Sequence, residues 1–190
     1  MAILYQEEQR LFTIHTIQST YQMKVDRFGY LLHLYYGDRS EGSMEYLLTY
    51  ADRGFSGNPY AAGNDRTYSL DTLPQEYPTL GTGDYRNYAL NIENSDGSQC
   101  CNLNFSRYEI RKGKYSLKGL PAVWADEDEA DTLEIVLKDR ISKIEVHLLY
   151  GVLFDEDIIT RSAVIRNVGE NKVVIKKAAG ACLDFLTGDF

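Results

Sequence analysis

Thr132-Leu133-Glu134-Ile135-Val136-Leu137-Lys138 and, a short turn later, Ile144-Glu145-Val146-His147-Leu148-Leu149-Tyr150 decide the fold class. In the first run Leu133, Ile135 and Leu137 point one way and Thr132, Glu134 and Lys138 the other. In the second, Ile144, Val146, Leu148 and Tyr150 oppose Glu145 and His147. A period of two is the mark of a half-buried strand, because successive side chains of a pleated backbone leave opposite faces. Residues 139–143 between the runs, Asp-Arg-Ile-Ser-Lys, read as a hairpin connection. The same pattern extends outward in both directions. Residues 157–167 and 172–184 form a second expected pair around Val168-Gly169-Glu170-Asn171. Residues 10–16, 20–26 and 30–36 read as three more strands, with Gly29 suited to a positive-φ turn position. The 15 tyrosines favour pleated, half-buried surfaces. Many short strands with polar turns and no long segment of period 3.6 predict an all-β sandwich.

Residues 51–84 break the pattern. They hold Gly54, Gly57, Gly63, Gly81 and Gly83, and three of the chain's four prolines, Pro59, Pro74 and Pro78. A structureless stretch this long is uncommon inside a compact domain unless it is functional or disordered. Disorder fits poorly with Phe55, Tyr60, Tyr68, Leu70, Leu73, Tyr77 and Leu80, which need something to pack against. The expectation is an ordered, irregular excursion packed on this domain and on a partner surface. Residues 1–190 otherwise read as one β-sandwich domain, within the size that a single core supports.

Charge and motif exclude several function classes. With 28 acidic against 20 basic residues the net charge is −8, a poor match for phosphate backbones, so no nucleic-acid partner is expected. No apolar run approaches the ~20 residues of a spanning helix, so no membrane partner is expected either. Met1 to Glu8 lack the basic and apolar regions of a signal peptide, which points to a cytoplasmic location. Cys100, Cys101 and Cys182 form neither a disulfide framework nor a zinc pattern. The acidic run Asp126-Glu127-Asp128-Glu129 lacks the spaced ligands of a calcium loop and reads as a solvated turn. His15, His33 and His147 stand apart in expected strands, so no metal and no cofactor is expected. Gly81-Thr82-Gly83-Asp84 lacks the third glycine and the strand–helix context of a dinucleotide fingerprint. No carboxylate is singled out by spacing as part of a catalytic pair.

Several stretches resemble the N-terminal domain of bacterial family 36 α-galactosidases. They are Phe55-Ser56-Gly57-Asn58-Pro59, then Asp65-Arg66-Thr67-Tyr68-Ser69-Leu70-Asp71-Thr72-Leu73-Pro74-Gln75-Glu76-Tyr77-Pro78, then Gly81-Thr82-Gly83-Asp84-Tyr85-Arg86. Further on come Gly119-Leu120-Pro121-Ala122, residues 128–135, Asp157-Ile158-Ile159-Thr160-Arg161-Ser162 and, more weakly, Ala181-Cys182-Leu183-Asp184-Phe185. The resemblance implies an N-terminal β-supersandwich that precedes a (β/α)8 barrel and a small C-terminal β domain, both absent from this chain. It implies a parent enzyme that hydrolyses terminal α-galactosyl residues of melibiose- and raffinose-type sugars with retention. The catalytic aspartates of such enzymes lie in the barrel. No Lys-Trp-Asp motif occurs here, where Trp124 is the only tryptophan, so no catalytic residue is assigned and the chain alone is expected to be inactive.

The resemblance further implies a homo-tetrameric parent in which a loop of this domain reaches a neighbouring active site. Asp52 and Arg66 are then the candidate substrate-binding residues, a carboxylate and a guanidinium fork suited to sugar hydroxyls. The alternative for Arg66 is a local ion pair with Asp65 that pins the loop. Phe55, Tyr60 and Tyr68 are candidates for loop packing or for an interface contact. Gly57 stands where the family often has proline. A different class of function stays open, a stand-alone carbohydrate-binding or structural β-sandwich.

Overall fold

The computed structural model describes residues 2–52, 54 and 57–184. Ten strands follow in order: β1 Ile3–Gln6, β2 Leu11–His15, β3 Ser19–Val25, β4 Leu31–Asp38, β5 Leu90–Glu93, β6 Asn104–Lys112, β7 Ala130–Asp139, β8 Ile144–Leu153, β9 Ile158–Asn167 and β10 Val174–Ala178. Two short 3-10 turns, Glu45–Leu47 and Tyr60–Ala62, are the only helical elements among the described residues. β1 to β4 form one antiparallel meander and β6 to β9 a second; β5 and β10 pair as a separate ribbon. The fold is all-β.

The two meanders close on one core. Ile3, Phe12, Ile14 and Met23 of the first meet Leu133, Ile135, Leu137, Val146, Leu148 and Tyr150 of the second in a single buried cluster. These include the residues whose alternation marked one face of β7 and β8. The turn between those strands is closed by Asp139, whose carboxylate accepts the amide of Ile141 at 2.8 Å. Gly29 has φ +88°, as its turn position requires. On the opposite face of β8, His147 is buried between carboxylates, with Nδ1 2.6 Å from Glu134 and Nε2 3.6 Å from Glu145.

The expected strand 172–184 is corrected in extent and in partner. Only Val174–Ala178 is strand, and it pairs with β5 rather than with β9. β5 sends Leu90 and Ile92 into the core and needs a partner for its open backbone edge, which β10 supplies.

The Gly/Pro-rich excursion packs on the outer face of the first meander. Tyr30 and Leu32, of opposite parity to the core residue Leu31, join Ala62, Tyr68, Leu70 and Leu73 in a second buried cluster. Its return limb then runs along the edge of β4. Pro74 accepts the His33 amide at 2.7 Å, the Glu76 amide donates to Leu31 at 2.9 Å, and Gln75 bridges Leu32. Thr79 continues the limb beside Leu90 of β5.

Candidate functional site

Asp52 and Arg66, far apart on the excursion, come together on its surface. Arg66 Nη2 lies 3.2 Å from Asp52 Oδ1, and both side chains are more than half exposed. The same Asp52 oxygen accepts the Gly54 amide at 2.8 Å, a local turn that fixes the carboxylate relative to its backbone. The expected local pair between Asp65 and Arg66 is not formed. Asp65 turns the other way: Oδ1 accepts the amide and hydroxyl of Thr67 at 2.9 and 2.6 Å, and Oδ2 pairs with Arg27 from the β3–β4 turn. The Thr67 donors, helped by Arg27, hold the Asp65 carboxyl below its ordinary range. Arg66 is thereby left to Asp52.

The three aromatic candidates part company. Tyr68 is wholly buried. Its hydroxyl donates to Asp26, and its ring meets Phe28 edge-on at 4.6 Å. Burial, then the Asp26 carboxylate, push its pKa up. Tyr68 packs beneath the excursion and offers nothing to a surface contact. Tyr60, on the second 3-10 turn, is fully exposed. Phe55 lies outside the described residues.

Sequence reading assigned no role to Glu76, a buried carboxylate shared by several partners. Glu76 is fully buried between the two meanders. Its Oε1 accepts the hydroxyls of Tyr21 and Tyr150, each at 2.7 Å, and pairs with Arg161 Nη2 at 2.8 Å. His33 Nδ1 stands 3.3 Å from its Oε2. Burial acts to raise the Glu76 carboxyl, but Arg161 first, with His33 and Tyr150, overrides it and keeps the pKa below the ordinary value. The available signal was a lone glutamate between Pro74 and Pro78 and a lone arginine in the Ile158-Ile159-Thr160-Arg161 run. A carboxylate so enclosed cannot reach a substrate; it holds the excursion in place.

Arg86 makes a second lock. It grips Asp84 through Nε and Nη2 at 3.1 and 3.0 Å, donates to the carbonyls of Leu70 and Leu73, and reaches Asp184 at 2.8 Å. The thiols of Cys100, Cys101 and Cys182 are free. Burial and the nearby Asp139 push Cys101 up to about 12, far from a reactive thiolate. Among the described residues no group of histidines, cysteines and carboxylates is arranged to hold a metal ion.

This excursion, with its exposed Asp52–Arg66 pair, the buried Glu76 lock and the Arg86 lock at the surface, stands on a sandwich with close relatives. The chain is 66% identical over 190 residues to the bifunctional alpha-galactosidase/sucrose kinase AgaSK of Mediterraneibacter gnavus, covering 100% of itself and 20% of that protein. It superposes on the galactosidase domain of AgaSK with a TM-score of 0.95, over 97% of this chain and 26% of that one. A variant of the GH36 alpha-galactosidase AgaA from Geobacillus stearothermophilus, solved in complex with raffinose, is 38% identical with a TM-score of 0.87, over 93% and 25% of the two chains. The chain thus spans only about a fifth to a quarter of the length of these relatives. The model of the glycosyl hydrolase family 36 N-terminal domain matches residues 29–190, and it is to this family that the chain belongs.

Proposed function

We propose that residues 1–190 are the non-catalytic N-terminal domain of a retaining α-galactosidase that removes terminal α-D-galactosyl residues from melibiose- and raffinose-type sugars. Retaining hydrolysis requires two carboxyl groups roughly 5–5.5 Å apart, on a part of the protein beyond this domain. The domain's own role is assembly of a cytoplasmic homo-tetramer and completion of a neighbouring subunit's site through the excursion. The exposed pairing of Asp52 with Arg66 carries this reading. An ion pair open to solvent in a fixed turn presents both an acceptor and a donor fork, the complement of adjacent sugar hydroxyls. Family membership supports the activity, and a relative solved with raffinose supports the substrate class.

Kinetics of the full-length enzyme test the role. Losing a charged hydrogen bond to substrate costs about 1.5–3 kcal/mol, so Asp52→Ala and Arg66→Ala should each lower kcat/KM for raffinose by roughly ten- to a hundredfold. Unchanged kinetics in a protein of unchanged mass would falsify a sugar contact.

A further inference from the structure

β9 closes the second meander with 10 residues and has no strand on its outer side among the described residues. The Val168 amide donates to the Lys143 carbonyl at 2.9 Å, and the pairing of β8 with β9 continues in step from there. The amides of Thr160, Ser162, Val164 and Arg166 therefore point at β8, and those of Ile159, Arg161, Ala163 and Ile165 point away from it. A row of unpaired N–H and C=O groups is a template for another strand. The other edges of the two meanders are blunted. β1 has only 4 residues, and residues 74–76 cover β4. β6 carries a register shift and the charges of Arg107, Glu109, Arg111 and Lys112. β9 has no lysine, no proline and no register shift.

The core is open on the same flank. β7 and β8 are buried almost throughout, whereas no residue of β9 is. Ile159, Ala163 and Ile165 face the core from β9, pack against its buried cluster and stay partly exposed. β10 follows β9 after one turn and is exposed at every residue, with Val174 at 40% and Ile175 at 51%. It pairs with β5 on one side alone among the described residues. Val173 and Ala179, on either side of β10, pack against the same cluster.

Two open edges beside a gap in one core suit extended chain with apolar side chains on alternate positions. We propose that this flank takes β-strand from the part of the parent protein that follows residue 190, paired along β9 and covering Ile159, Ala163 and Ile165. The relatives that superpose on this chain have the length to supply it, since the chain covers only 26% and 25% of the two solved ones described above. Residues 179–184 bring the chain back to β9, where Arg161 donates to the Cys182 carbonyl at 2.9 Å, so the sequence after them is close at hand. A second copy pairing its own β9 here would extend the sheet and leave β10 open, which fits the flank less well. The longer parent rests on the proposed function; the open flank rests on these residues alone.

Hydrogen exchange resolved by residue in the full-length protein tests the pairing. Ile159, Arg161, Ala163 and Ile165 should exchange within about tenfold of Thr160, Ser162 and Val164. Exchange of the outward set faster by about a hundredfold or more, as on a bare edge, overturns the proposal. Photo-cross-linking identifies the occupant. A p-benzoylphenylalanine in place of Arg166, which is exposed on the face away from the core, should couple to a peptide outside residues 1–190. The product should run at the mass of one chain on a denaturing gel. A product of two chains' mass, the mark of a second copy on β9, overturns the proposal. A full-length protein that gives the expected exchange and cross-link but hydrolyses no galactoside would remove the proposed activity and leave the closed flank standing.

Discussion

Glu76 is a charge carried into the core by a loop. Its partners come from four strands: Tyr21 of β3, His33 of β4, Tyr150 of β8 and Arg161 of β9. A buried pair of this kind adds little net stability over an apolar replacement, but removing one member strands the other. Glu76→Gln leaves the Arg161 charge without its counter-ion and should destabilise the protein by about 3–5 kcal/mol in urea unfolding. The pH dependence has a definite sign. The Glu76 carboxyl is held below its ordinary 4.5 in the fold, so its contribution is complete above that pH and is lost as pH falls through the lower, folded value. Acid unfolding curves should show this component in the parent protein and lack it in Glu76→Gln. Identical acid limbs would mean that Arg161 does not depend on the carboxylate.

At the scale of the element, the excursion rests on burial and not on its surface ion pair. Solvent-exposed ion pairs contribute about 0–1 kcal/mol, so Arg66→Ala should leave the melting temperature nearly unchanged. Tyr68→Ala removes a wholly buried ring and the donor to Asp26, and should cost about 3–5 kcal/mol. The reverse ranking in thermal unfolding would show that the excursion is held from outside. These contrasts also show what could be read in advance. β7, β8 and β9 were legible because local parity reports a face directly. β6 was not, since a register shift between Phe105 and Arg107 puts Tyr108 and Ile110 out of phase with Phe105. β5 and β10 are four and five residues long and find each other across some eighty residues, which no local pattern encodes. Asp52 and Arg66 were visible as chemistry on a loop, but their pairing depends on Arg27 drawing Asp65 away, a contact between distant turns.

Across the whole molecule, the return limb of the excursion and the segment 179–184 are fastened to the same body. Tyr77 donates to the Ala179 carbonyl at 2.8 Å and Arg161 to that of Cys182 at 2.9 Å. Arg86 joins Asp184 to Asp84 and to the carbonyls of Leu70 and Leu73. A displacement of either segment must therefore strain the other. Asp84 makes Arg86 the critical member: it is almost fully buried, and apart from Arg86 its side-chain partner is the neutral Gln75 amide. Arg86→Ala should leave that carboxylate uncompensated and speed hydrogen exchange together at residues 70–76 and 179–184 by about tenfold or more, equivalent to about 1.4 kcal/mol of local opening. Lysine cannot replace the planar fork that serves two carboxylates and two carbonyls at once, so Arg86→Lys should recover little of the protection. Exchange that rises in one segment while the other stays protected would show that the two move independently.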